Sequence, residues 1–236
     1  MRFLKFLLGL AMLPFCVAAT RTVISLTRDI QPHSYGALPL STWGLIIGFC
    51  LWIILFFCLP RPMRTYVFAH ELTHALWGWI MGARVSRLRV SKQGGSVTLS
   101  KTNFLIALAP YFFPLYTVLV IIGYYALSLF FDLRHYEPFW LGLIGLTWAF
   151  HLTFTITTLL QHQPDIHENG RLFSYSLIYL LNVLGISLWI VAVASPTLER
   201  WTTQLQRDTT ASWAVTARAA TVAWNGAAEF AGRWNK

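Results

Sequence analysis

The chain has 236 residues, of which 56% are hydrophobic and 11% charged, with a formal net charge of +9 and a mean hydropathy of +0.55. Soluble domains are about a quarter charged, so this chain lacks the polar surface to cover itself in water and reads as an integral membrane protein. The positive balance does not point to nucleic acid. Its cations are spread through short loops, and the partner they imply is a bilayer with anionic headgroups.

The first apolar run covers residues 6–19, behind Arg2 and Lys5. It is short for a span, and Val17-Ala18-Ala19 resembles a signal-peptidase site, so a cleaved signal and an uncleaved first helix both fit. Residues 20–40 are polar enough for a loop. A strong span follows over 43–59 and is stopped by "PRPMR". The next helix is predicted over 63–82. Residues 84–102 then change character. Val85, Leu88, Val90, Val97 and Leu99 stand among polar residues in β-like alternation, with Gly94-Gly95 as the turn, which predicts a β-hairpin.

A long apolar helix is predicted over 103–131, kinked at Pro110 and Pro114. A loop, a span over 139–161, the loop "HQPDIHENG" and a last span over 172–194 complete the apolar part. The tail interleaves Trp201, Trp213, Trp224 and Trp234 with Ala, Thr and Arg. It fits either a helix lying in the headgroup region or a frayed polar helix. The fold class is therefore an all-α polytopic membrane bundle of about five to six transmembrane helices with a small membrane-associated β-hairpin. Three parts are expected: an N-terminal signal-like or spanning segment and accessory span (1–59), a core (60–195) and an interfacial tail (196–236). Cys16, Cys50 and Cys58 lie in apolar runs and define neither a disulfide framework nor a metal knuckle. Orientation stays open, because an inward N-terminus would put the basic hairpin outside, against the positive-inside tendency.

The stretch "VFAHELTHAL" sets three ionisable groups inside an apolar helix. His70 and His74 are four residues apart, on one helix face, so both imidazoles can reach one ion. Glu71 lies about 100° round, beside that ion, placed to deprotonate a water on it. This is the HExxH arrangement, in which two His bind zinc and the Glu is the general base. Charges at membrane depth cost at least ~2.5 kcal/mol and are functional by default.

A catalytic zinc needs a third protein ligand and an open position. Asp29, Asp132 and Asp208 lie in predicted loops or the tail, far along the chain. Asp165 follows the end of a span, where Pro164 breaks the helix and can turn the carboxylate back toward the bundle; His167 and Glu168 are rivals. Thr147, His151, Thr155, Thr158 and His162 share one face of the preceding helix. That stripe makes His151 a pocket candidate, although interhelical hydrogen bonding alone would also explain it.

These residues resemble the site-2-protease-like intramembrane zinc metallopeptidases. "FAHELTHALWGWIMGARV" looks like their first core helix, "VSRLRVSKQGGSVTLSK" like the β-hairpin that follows it, and "ALAPYFFP" like the Gly-Pro-type start of their next core helix. "QPDIHENG" resembles their Asp-Gly segment. The resemblance implies Zn2+ held by His70, His74 and Asp165, Glu71 as base, and a membrane-spanning helix as substrate. Two departures stand out: Thr73 replaces the Gly common before the second His, and Gly170 is preceded by Asn169 rather than Asp. A second reading is an inactive membrane scaffold that keeps the fold. A di-iron oxidase is excluded, because only one His pair has ligand spacing. Substrate identity and oligomeric state are not written in the sequence.

Overall fold

The computed structural model describes residues 2–30, 40–161, 163–194 and 196–234. Two compact units divide the chain: residues 1–31 with 170–236, and residues 32–169.

The first unit holds α1 (Arg2–Arg28), α8 (Arg171–Val193) and α9 (Leu198–Trp234). The loop expected from residue 20 is instead the last two turns of α1 as far as Arg28. Several of its polar side chains have partners on α8 and α9. Thr20 pairs with the Tyr179 hydroxyl at 2.8 Å, and Thr22 donates to Asp208 at 3.0 Å. Arg21 lies 3.5 Å from the same carboxylate, and Arg200 donates to Asp29 at 2.8 Å. The tail is therefore a continuous helix. Its first half packs on α1, with Asp208 4% exposed, while beyond Ser212 its described side chains are exposed. Gly9 lets α1 approach the α8 backbone, where a Cβ would lie 2.7 Å from the Phe173 nitrogen.

The second unit runs α2 (Leu40–Cys58), α3 (Met63–Ile80), β1 (Val85–Val90), β2 (Gly95–Leu99), α4 (Phe104–Phe112), α5 (Leu115–Ser128), a 3-10 turn (Arg134–Tyr136), α6 (Glu137–Leu159) and α7 (Pro164–Asn169). Helices α2 and α6 meet backbone to backbone. A Cβ on Gly48 would sit 1.9 Å from the Gly142 carbonyl oxygen, and one on Gly44 2.1 Å from that of Pro138. Small residues one turn apart allow such close helix approach in apolar surroundings. The contact continues into a core of Trp52, Phe56, Ala149, Phe150 and Phe154. Trp52 satisfies its indole N–H on Thr153 at 2.9 Å.

The hairpin forms where alternation predicts it. It is antiparallel, pairing Val85 with Leu99, Leu88 with Val97 and Val90 with Gly95, with an irregularity between Val85 and Leu88. The helix expected over 103–131 is broken outright: α4 and α5 meet at 73°. Pro114 cannot donate its nitrogen and Phe113 is extended, so the helical ladder stops there. Asn103 caps α4, accepting from the Ile106 N–H at 2.9 Å.

Among the described residues, three helices are long and apolar enough to cross a membrane, or four if α4 and α5 form one bent span. That is fewer than five to six. The apolar described part of α2 is short, at Thr42–Cys58, and the ionisable groups of α3 lower its hydropathy. The expected loop "HQPDIHENG" contains a short helix, α7. Pro164 starts it, as proline does where its missing N–H has no intrahelical partner anyway.

Candidate metal centre

Helix α3 presents His70 and His74 on one face, and their Nε2 atoms are 3.2 Å apart. Helix α7, anchored by the buried Ile166, brings Asp165 to them. Asp165 Oδ2 lies 3.8 Å from His70 Nε2 and 3.7 Å from His74 Nε2. These three are the only metal-competent cluster among the described residues. The rivals do not join it: His167 and Glu168 fall on the exposed side of α7. Asp29 and Asp208 belong to the α1–α9 contact, and Asp132 is paired with Arg134 at 2.8 Å.

The candidate ligand atoms are oriented by second partners. His74 Nδ1 is 2.9 Å from the Ile106 carbonyl, which can only accept. Nδ1 therefore carries the proton, and Nε2 offers its lone pair toward His70 and Asp165. His70 Nδ1 pairs with the Tyr66 hydroxyl at 3.2 Å, and that hydroxyl accepts from Thr158 at 2.7 Å. Tyr66 in turn stacks flat on Phe154, with ring centroids 4.6 Å apart. The Tyr111 hydroxyl, on a side chain with no exposure, donates to Asp165 Oδ2 at 3.1 Å. Asn169 donates to the Asp165 carbonyl at 2.9 Å, so the residue standing where the family pattern has Asp braces the short helix.

This donor set fits zinc. Two imidazoles and a carboxylate form a known catalytic zinc triad. Tetrahedral coordination at Zn–N distances of 2.0–2.1 Å spaces ligand atoms about 3.4 Å apart, and the observed edges of 3.2, 3.7 and 3.8 Å bracket that value.

Glu71 is 8% exposed and makes no hydrogen bond or ion pair among the described residues. The hairpin covers it. A Cβ on Gly95 would be 2.5 Å from Glu71 Cγ and 2.7 Å from Val67 Cγ1. Thr73 fits without the expected Gly, because its hydroxyl turns back to the Ala69 carbonyl at 2.7 Å.

The polar stripe on α6 faces inward. Thr147 accepts from Thr117 at 3.1 Å, and Thr158 reaches Tyr66. His151 is not in the metal cluster. It lines a cavity of about 20 Å³ with Tyr66, His70, Thr73 and Thr147, room for one water. His162 lies outside the described residues. Sequence reasoning missed Tyr66, Tyr111 and the Ile106 carbonyl. Tyr66 was findable, four residues before His70 and so on the same face.

Residues 43–160 match the family described as Peptidase M50B-like. The match takes in α2, which lies before the resemblance read from the motifs, and it ends before Asp165, whose place at the site rests on geometry. Comparison with curated proteins and with solved structures returned no match. Since the family match spans half of the chain and contains the HExxH helix, the chain belongs to the Peptidase M50B-like family of membrane metallopeptidases.

Proposed function

We propose that the protein is a zinc-dependent intramembrane endopeptidase that cuts a membrane-spanning substrate. The observation that carries this reading is the convergence of His70 Nε2, His74 Nε2 and Asp165 Oδ2 from two helices distant in sequence, with His74 held in the ligating tautomer by Ile106. His70, His74 and Asp165 would hold the ion. Zinc, when bound, polarises a carbonyl and makes hydroxide available near neutral pH. Glu71 takes a proton from the attacking water and delivers it to the leaving amine. Its isolation supports that role, because among the described residues no competing donor occupies its carboxylate. The hairpin presents β1 as an edge to which an unwound substrate segment adds as a strand, exposing a backbone that a helix withholds. The protein resides in the membrane as a multi-pass chain, with its basic loops near anionic headgroups.

Purified in detergent without chelators, the wild type is expected to carry stoichiometric zinc and cut a single-span substrate. Glu71→Gln keeps the zinc and stops cleavage; His74→Ala loses both. Zinc far below stoichiometric in the wild type defeats the enzyme reading and leaves a scaffold. Cleavage by Glu71→Gln removes the proposed base.

A further inference from the structure

The hairpin carries a charge pattern that no described residue neutralises. Between Glu71 and Asp132 there is no acidic residue, yet Arg84, Arg87, Arg89, Lys92 and Lys101 all lie there. All five are exposed, and none forms an ion pair among the described residues. By contrast, Arg21, Arg134 and Arg200 each have a carboxylate partner.

Register sorts the two faces. Val85, Leu88 and Val90 pair with Leu99, Val97 and Gly95. This is the face against α3, since Gly95 abuts Glu71 and Leu99 abuts Gly78. From Leu88 to Val90 the pairing is regular, so Arg89 projects away from α3, and Arg87, beside Leu88 where the irregularity supplies the extra residue, falls on the same side. Strand β1 is exposed along its whole length, and no third strand pairs with it among the described residues. Its free edge therefore offers backbone hydrogen bonds beside two cations spaced two residues apart. An added strand has the same period, so its side chains on that face meet Arg87 and Arg89 at alternate positions.

The placement favours a peptide over a lipid surface. Cations that serve headgroups gather at one end of a helix bundle. Here the cationic strand runs back along α3 from the level of Gly78 to that of Glu71, and Val90 pairs with the Gly95 that touches Glu71. A segment paired with β1 is carried along these cations toward the proposed base.

We propose that the hairpin selects substrates whose extended segment beside the scissile bond carries carboxylates at alternate positions. This rests on the peptidase reading. The test is binding, which separates the two. The full-length Glu71→Gln protein in neutral detergent is titrated with a labelled peptide of alternating threonine and glutamate, and with a twin carrying glutamine for glutamate.

At low salt the acidic peptide is expected to bind about tenfold tighter, the sum of two exposed opposite-charge pairs, and the margin shrinks as salt rises. The double variant Arg87→Gln/Arg89→Gln erases the margin while keeping helix content and zinc. Arg87→Glu/Arg89→Glu shifts the preference to a lysine twin. Equal affinity of the two peptides, no binding by either, or a margin that survives the double variant overturns the proposal. So does a double variant whose only loss is binding to vesicles of anionic phospholipid, which would assign the cations to lipid. An intact acidic margin in a protein that holds no zinc and cuts nothing sinks the peptidase reading alone.

Discussion

Gly95→Ala probes the contact between the hairpin and Glu71. Its new methyl would lie 2.5 Å from Glu71 Cγ, 2.7 Å from Val67 Cγ1 and 2.9 Å from the Arg89 carbonyl oxygen. Ordinary contact distance for a carbon is about 3.5–4.0 Å, so something must move by roughly 1 Å. Glu71 Cγ is held close to the α3 backbone, and the Arg89 carbonyl belongs to the pairing of β1 with β2. The easier response is for the exposed hairpin to lift off α3. Overpacking of this kind costs about 1–3 kcal/mol. The loss falls on a hairpin whose β1 is wholly exposed, so it is read as local opening rather than global unfolding. None of the three atoms nearest the new methyl belongs to His70, His74 or Asp165, so zinc content is expected to stay at wild-type level. Displacing the cover of Glu71 by about 1 Å lowers kcat/KM by about a hundredfold. Hydrogen exchange over residues 85–99, zinc per chain and cleavage of a single-span substrate measure these separately. Gly94→Ala is the control. Its φ of +150° strains an alanine, but its Cβ would meet nothing within 4 Å. It loosens the turn without pressing Glu71 and leaves turnover near wild type. Wild-type exchange and turnover in Gly95→Ala would refute the contact.

Two further outcomes test the partners of the candidate ligands. Tyr111→Phe removes only the hydroxyl that donates to Asp165; zinc affinity falls about tenfold to a hundredfold, as for other outer partners of metal ligands, measured by competition with a chromophoric chelator, while helix content is unchanged. Tyr66→Phe strips the partner of His70 Nδ1 and leaves Thr158 without its acceptor. Its zinc affinity falls by a similar factor, and Thr158→Val adds little on top of it, because the two substitutions break one chain of bonds.

What the sequence revealed and what it hid follow from the range of each interaction. The HExxH face and the hairpin are local, set by periods of 3.6 and 2, and both lie where those periods put them. Pro164 and the resemblance favoured Asp165 over its rivals His167 and Glu168, and the direction of α7 brings Asp165, of the three, beside the two imidazoles. The end of α1 was misread as a loop because Thr20, Arg21 and Thr22 look solvated. Their partners, Tyr179 and Asp208, come from the far end of the chain, and no local pattern announces them. The α4 break came from prolines that had suggested only a kink. Tyr111 reads as an ordinary apolar-segment aromatic until Asp165 is placed beside it.

The glycines of α2 were equally silent, because a glycine in an apolar helix is explained only by what approaches it. Their consequence reaches the site. Gly48→Ala would put a methyl 1.9 Å from the Gly142 carbonyl oxygen and 2.7 Å from its carbon, both backbone, so neither can rotate away. The helices must part by on the order of 1.5 Å, at about 1–3 kcal/mol. Trp52 and Phe56 follow on α2 and pack on Phe150 and Phe154. Phe154 carries the Tyr66 ring, and Tyr66 holds His70. Loosening the glycine contact therefore reaches a ligand through a stack of rings, and zinc affinity drops by up to about tenfold, less than for removing the Tyr66 hydroxyl itself. Gly123→Ala, where a Cβ meets nothing within 4 Å, changes neither quantity adversely. A Gly48→Ala protein with lowered stability and undiminished zinc affinity would break this link: the α2–α6 packing would then support the fold without orienting His70, and the orientation would rest on α3 and Thr158 alone.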